Sequence, residues 1–404
     1  MNKTTKILLS LFVGLILSAG VFSAGLLAGI YLPLLSNRTS ANAATPKGQN
    51  ALFVPFWEAW DIVHNQYVDQ PLDDVALMRG AIRGMMDAIG DKQTYYMDPV
   101  VYEDATTQLE GEYEGIGAYV DTSGDYLTIV SPIEGSPAEA AGLKPGDQIV
   151  AIDGVDMTGV SPEQARQKVL GPVGSTVKLS ITRKGQEEPL EFVLTRAKIL
   201  VPSVTSKTLE NNIAYIDINQ FGDKTTSELM AAIDQTLSQN PKGVIIDLRN
   251  NSGGYLQTAV ETASQFIEKG IVLYEQYGEG TRVPHYALGK GRMTNLPIVV
   301  LVNEGSASAS EVLAGALQDY GRAKLVGVIS YGKGSVQQWM PLSDDNGAAR
   351  VTVAKWLTPH ERTIDGVGLT PDYVVEFTEA DAANDRDPQL DKAIEVLLDL
   401  IAGK

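Results

Sequence analysis

Gly305-Ser306-Ala307-Ser308-Ala309-Ser310-Glu311 follows closely on the apolar run Pro297 to Val302 and opens a helical pattern that reaches Tyr320. The order is strand, tight turn of small residues, helix. A side chain on such a turn is held rigidly. The first N–H groups of the helix lack intrahelical partners and can stabilise a developing oxyanion. Small neighbours allow a substrate backbone to approach. Taken alone, these serines also read as a helix cap. A second stretch changes the balance: Tyr331-Gly332-Lys333-Gly334-Ser335-Val336-Gln337 lies between two strand-like runs. A lysine flanked by glycines at a strand junction suits a buried site. There desolvation lowers its pKa and makes a neutral amine base possible.

Around these stretches the pattern is α/β. Ile213 to Ile218, Gly243 to Leu248, Pro297 to Val302 and Lys324 to Val328 read as strands. Thr225 to Ser238, Leu256 to Glu268 and Ala309 to Tyr320 read as helices. Val336 to Leu342 and Ala349 to Leu357 are β again, and Pro388 to Ile401 is an amphipathic helix. Residues 111–200 form a different, β-rich region. Its strands are expected at Leu127 to Val130, Gln148 to Ile152, Val177 to Arg183 and Leu190 to Thr195, with short helices opened by Ser136-Pro137 and Ser161-Pro162. Phe53 to Gly90 has helical periodicity, broken around Pro71 and Asp73-Asp74.

Composition narrows the chemistry. The 404 residues include three histidines and no cysteine, which excludes a thiol nucleophile, disulfides and thiolate metal sites. His64, His285 and His360 lie far apart in sequence and none belongs to an HExxH-like pair, so a metal site or a histidine triad has little to draw on, and no metal is assigned. Fifty acidic against 32 basic residues, a net charge of −18, argue against a nucleic-acid partner. Two motif matches fail. Gly327 to Lys333 fits GxxxxGK, but Gly334 stands where the magnesium-binding hydroxyl belongs. Ser175-Thr176-Val177-Lys178 fits SxxK, but it lies on a strand pattern that sends residues three apart to opposite faces.

Gly115-Ile116-Gly117, Ser136 to Leu143, Pro145-Gly146-Asp147 and Ile152-Asp153-Gly154 resemble a PDZ domain of the bacterial protease type. Such domains add a peptide C-terminus to a sheet edge, with loop N–H groups on its carboxylate. Gly115, Ile116 and Gly117 are the matching loop. With Asp247-Leu248-Arg249-Asn250-Asn251-Ser252-Gly253-Gly254, the chain over roughly residues 50–400 closely resembles the carboxyl-terminal processing proteases, a serine peptidase family of the S41 type. The resemblance implies Ser308 as nucleophile, Lys333 as base 25 residues later, and Gln337 as the residue orienting the lysine. It implies oxyanion donors at the N–H of Ala309 and of Gly253 or Gly254, and no cofactor. Two departures stand out. Ser252 replaces the family's turn proline, which implies a more mobile turn. Leu170 replaces an arginine that couples the PDZ domain to the active site in relatives, with Arg166 about one helical turn away.

The fold class implied is α+β and multidomain. A membrane signal-anchor occupies 1–35, a linker 36–50, a helical arm 51–110 and a PDZ β-barrel-like domain 111–200. A crotonase-like α/β protease core follows at 201–378, then a C-terminal helical region at 379–404. The anchor rests on the uncharged run of 26 residues from Ile7 to Leu32, preceded by Lys3 and Lys6. It places the chain at the cell membrane as a single-pass protein, attached through residues 7–32, with its catalytic part outside the cytoplasm. The alternative is secretion after signal cleavage near Ala41-Asn42-Ala43. The expected partners are protein or peptide substrates with free C-termini and a second copy in a homodimer. The rival function is a PDZ adaptor with an inactive protease-like core, binding C-terminal tails at the membrane.

Overall fold

The computed structural model describes residues 51–186, 188–382, 384 and 386–403. The expected anchor and linker lie outside them. No helix among the described residues is long and apolar enough to cross a membrane. The chain divides into two units, one running through Met85 and including Leu342–Asn346, the other holding the remainder. In the first unit, helix α1 (Val54–Gln66) has Pro55 in its first turn and no fully buried residue. Its Trp60 ring stacks on His64 at 4.7 Å, and His64 Nε2 lies 2.7 Å from Asp74 Oδ1 at the start of α2 (Asp74–Asp87).

The second unit begins with β1 (Tyr95–Met97) and α3 (Pro99–Leu109), whose N-cap Asp98 accepts the Val101 N–H. A β-rich module follows, containing β2 (Glu112–Gly115), β3 (Ala118–Asp121), β4 (Thr128–Pro132), α4 (Pro137–Ala141), β5 (Gln148–Ile152), β6 (Val155–Asp156), α5 (Pro162–Val169), β7 (Thr176–Thr182), β8 (Leu190–Thr195) and β9 (Ala197–Leu200). The sheet order β3-β4-β5-β7-β8 leaves β3 at an edge, while β2 pairs with β9. Alternation along β7 turns Val177, Leu179 and Ile181 into a core shared with Ile129 and Ile149. Ser136 and Ser161 cap α4 and α5 through the N–H groups of Glu139 and Gln164, as their Ser-Pro sequences predict. Lys178 lies on β7 and pairs with Glu191 across the sheet, in keeping with a strand reading of the SxxK match.

The α/β core contains β10 (Val204–Leu209), β11 (Ile213–Ile218), α6 (Thr225–Leu237), β12 (Gly243–Asp247), α7 (Leu256–Ala263), β13 (Ile271–Tyr277), β14 (Arg282–Tyr286), β15 (Ile298–Val302), α8 (Ala309–Asp319), β16 (Ala323–Gly327), β17 (Ser335–Pro341), β18 (Ala348–Leu357), β19 (Tyr373–Val374) and α9 (Pro388–Ile401). Its main sheet runs β10-β11-β12-β15-β16-β19, parallel from β11 onward. Strands β12 and β15 are buried throughout, because helices cover both faces. Ile246 and Val300 pack with α6, α7 and α8, whereas Ile245, Val299 and Leu301 pack with α9. A second sheet, β1-β18-β13-β14 with β17 on β18, carries the lysine-bearing stretch. Helix α7 stops at Ala263, short of the expected Glu268. The N–H groups of Phe266 and Ile267 both return to the Ala263 carbonyl, and Ser264 Oγ accepts the Leu288 N–H, so the chain turns toward β13.

The covering role of α9 makes it part of the core. Leu397 is fully buried against Gly243. Leu397→Ala is expected to lower the unfolding free energy by about 2–5 kcal/mol in urea denaturation followed by tryptophan fluorescence.

Candidate active site

Strands β12 and β15 are parallel neighbours, so their carboxyl ends deliver two loops side by side. The loop after β15 carries the three serines. Ser306 Oγ donates to the Leu248 carbonyl at 2.8 Å, and Ser310 Oγ donates to the Asn251 carbonyl at 2.8 Å. Both are buried, while Ser308 is half-buried and its hydroxyl donates to no protein group among the described residues. Ser308 has φ 54° and ψ −114°, a backbone region costly to a residue with a Cβ. Ala309, the first residue of α8, has no acceptor for its N–H among the described residues.

The loop after β12 is pinned by Asn251, which is fully buried. Asn251 Nδ2 donates to the Ile218 carbonyl at 2.6 Å, and Oδ1 accepts the Gly253 N–H at 2.9 Å. Its backbone carbonyl also receives the Ala307 N–H. These bonds fix the turn, and the exposed Ser252 side chain takes no part in them. Gly253 has φ 102°, and a Cβ there would lie 2.8 Å from Ser308 Cβ and 2.9 Å from Ala309 N. Its N–H is already held by Asn251. The Gly254 N–H has no protein acceptor among the described residues.

Glu311 joins this turn to the lysine. It is fully buried on the first turn of α8. Its Oε2 accepts the Ser308 and Lys333 N–H groups, each at 2.9 Å. Oε1 accepts the Gly332 N–H at 2.7 Å and Ser330 Oγ at 2.6 Å. Four donors on one carboxylate thus tie the backbone of Ser308 to that of Lys333. The Lys333 carbonyl accepts Trp356 Nε1 at 2.9 Å. Either flanking glycine would clash with a Cβ, at 2.7 Å from Gly368 N or 2.6 Å from Asp365 Cβ. Burial pulls the Lys333 ammonium down to about 8; the Arg350 guanidinium acts the same way and the Glu311 carboxylate opposes it.

Gln337 is brought near this region, but its amide bonds elsewhere. Nε2 donates to Ser335 Oγ and Thr352 Oγ1, and Oε1 accepts Arg350 Nη2 at 3.4 Å. Thr352 Oγ1 in turn donates to Asp91 Oδ2 at 2.6 Å, a bond that holds the Asp91 carboxyl below its usual range. No hydrogen bond links Gln337 to Lys333, or Ser308 Oγ to Lys333, among the described residues. Sequence reasoning assigned no role to Glu311, Asn251, Thr352 or Arg350. The acidic residue three beyond Ser308 was a readable signal, since that spacing forms a capping box. Arg350 carries no local signal.

In the β-rich module, the carbonyls of Ile116 and Gly117 accept from Ala138, Ile133 and Ser136. The N–H groups of these two residues have no protein acceptor among the described residues. Gly117 has φ 78°, and a Cβ would fall 2.4 Å from Ser136 Cβ. Beside this loop, a cavity of about 850 Å³ is lined by Ala118 and Val120 of β3, Leu127, Ile149, and Val169 of α5. Leu170, where the family resemblance leads one to expect arginine, lines it too. Arg166 instead pairs with Glu163.

Comparison with known proteins gives the family. Residues 212–375 match the peptidase family S41, 128–183 a PDZ domain, and 34–100 the N-terminal domain of the activating protease CtpB. The carboxy-terminal-processing protease of Bartonella bacilliformis is 38% identical over 356 residues, covering 86% of this chain and 81% of that protein. CtpB of Bacillus subtilis is 35% identical over 363 residues, covering 87% and 75%. The solved photosystem II D1 C-terminal processing protease is 28% identical, with a TM-score of 0.50 over 81% of this chain and 93% of that one. The chain therefore belongs to the carboxyl-terminal processing proteases, a family of serine peptidases with a PDZ domain and a mixed α+β fold.

Removing the Glu311 carboxylate leaves two buried and two half-buried donors without their acceptor. Glu311→Ala is expected to cost about 3 kcal/mol or more, read as a lower Tm by calorimetry. Glu311→Gln, which retains one acceptor oxygen, is expected to fall between it and the parent chain.

Proposed function

We propose that the chain is a membrane-anchored endopeptidase that cuts proteins near their C-termini outside the cytoplasm with a Ser308/Lys333 dyad. The observation carrying this reading is the Glu311 carboxylate, which accepts the backbone N–H of both residues and so fixes one relative to the other. Ser308 Oγ attacks the scissile carbonyl while neutral Lys333 Nζ takes the hydroxyl proton. The Ala309 N–H, with that of Gly253 or Gly254, stabilises the oxyanion; Gly254 is favoured, because Asn251 already engages Gly253. Lys333 then returns the proton to the leaving amine, and water hydrolyses the acyl-enzyme. Productive geometry requires Lys333 Nζ to reach Ser308, and Gln337 to exchange its Thr352 and Arg350 contacts for the lysine. The Gly115-Ile116-Gly117 loop binds the substrate carboxylate through its free N–H groups. Residues 7–32 attach the chain to the membrane, and the exposed aromatic residues Phe53 and Trp57 suit a homodimer contact.

An adaptor with an inactive core is disfavoured, because each group the reaction needs is present. Cleavage of an unfolded reporter is expected to vanish in Ser308→Ala and in Lys333→Met, with Tm little changed. The base works when neutral, so kcat/KM should rise with pH to a plateau above about 8. Below that value it should fall about tenfold per pH unit, as the amine becomes protonated. Full cleavage by either variant would contradict the assignment.

A further inference from the structure

The groove beside β3 has an apolar floor and an acidic rim. Ile116, Ala118, Leu127, Ile149 and Val169 form the floor. Glu103, Asp104, Glu110, Glu112 and Glu114 face the same cavity, against Arg166 and Lys198 as the basic residues of its lining. Both cations already have carboxylate partners, Glu163 for Arg166 and Glu112 for Lys198. Glu103, Asp104, Glu110 and Glu114 have no ion-pair partner among the described residues, and the Val173 N–H that Glu114 accepts leaves its charge in place. Three of these four carboxylates belong to α3 and its C-terminal end, outside the β-rich module that supplies the apolar floor, and the fourth, Glu114, lies on β2. Gln220 of the protease core lines the cavity as well, and its Nε2 donates to the Gln108 carbonyl at 2.7 Å.

We infer that this groove selects substrate tails that end in an apolar residue and carry lysine or arginine shortly upstream. The inference rests on the reading of the groove as the tail-binding site and adds the charge of its occupant. An apolar terminal side chain fits the floor. The terminal carboxylate meets the free N–H groups of Ile116 and Gly117. A tail bearing acidic residues would place like charges against four carboxylates that lack an ion-pair partner, whereas lysines neutralise them. Rim charges chiefly set specificity and association rate, and their effect fades as salt rises.

The test uses the full chain carrying Ser308→Ala, so that peptides are bound and not cut. Two fluorescein-labelled ten-residue peptides share one apolar C-terminal tripeptide and carry either three lysines or three glutamates upstream. Fluorescence anisotropy at low salt is expected to give on the order of tenfold tighter binding of the lysine peptide, with the gap narrowing as salt rises. Adding Glu103→Lys and Asp104→Lys should erase or reverse the preference, and Glu103→Gln with Asp104→Gln should shrink it. A C-terminally amidated peptide should bind neither form. Equal binding of both acid-terminated peptides, or preference for the glutamate peptide, would overturn the charge inference and leave the groove reading intact. Failure of every peptide to bind would overturn the groove reading and this inference together.

Discussion

The arrangement of the candidate site depends on one buried carboxylate. Glu311 takes four hydrogen bonds, and two of them come from the backbones of Ser308 and Lys333. These residues lie 25 positions apart and belong to segments leading to different sheets. A buried anion is tolerated only when its lone pairs are satisfied. The donors around Glu311 are supplied by a helix start, a glycine loop and one serine. The same bonds hold Ser308 in a backbone region it would otherwise avoid. The strain of the turn and the placement of the lysine thus have a common support.

A second constraint comes from Asn251. Its side chain closes the Gly253 turn and reaches back to β11, while its carbonyl accepts from the neighbouring serine loop. This places the Gly253 backbone against Ala309, where any side chain would intrude. The proline that the family resemblance leads one to expect at position 252 would restrain the turn through its own ring. In this chain hydrogen bonds supply the restraint, and Ser252 is free to face solvent. In the proposed reaction the Ala309 and Gly254 N–H groups remain open for a substrate oxygen, because the surrounding donors already have acceptors.

Much of the fold was legible because local patterns match the tertiary environment. The runs at Gly243 to Leu248 and Pro297 to Val302 are continuously apolar because helices cover both faces of those strands. The Ser-Pro helix starts and the period of α9 were equally plain. Strands β2, β3 and β9 were not read, being short and partly polar; their pairing depends on distant partners such as Ala197 against Gly115. The site divides in the same way. Ser308 and Lys333 stand in distinctive local sequences. The links among Arg350, Gln337, Thr352 and Asp91 exist only after β17 and β18 pair and the segment near Asp91 folds onto them. The sequence also left open which glycine N–H is available, since that turns on the side-chain bond from Asn251.

The missing cysteines and scarce histidines take on meaning within this arrangement. In the proposed reaction a serine nucleophile served by a partly dehydrated lysine needs neither residue, and burial takes the place of a histidine's intrinsic pKa. The central claim is that burial lowers the Lys333 pKa well below the ordinary lysine value, so that a minor but usable fraction of the amine is neutral at pH 7 and most of it is neutral above about 8. An NMR titration of 13C-ε-lysine protein, with Lys333 assigned by its loss in Lys333→Met, measures this directly. A midpoint near 8 is predicted. A midpoint close to the ordinary lysine value of about 10.4 would contradict the account.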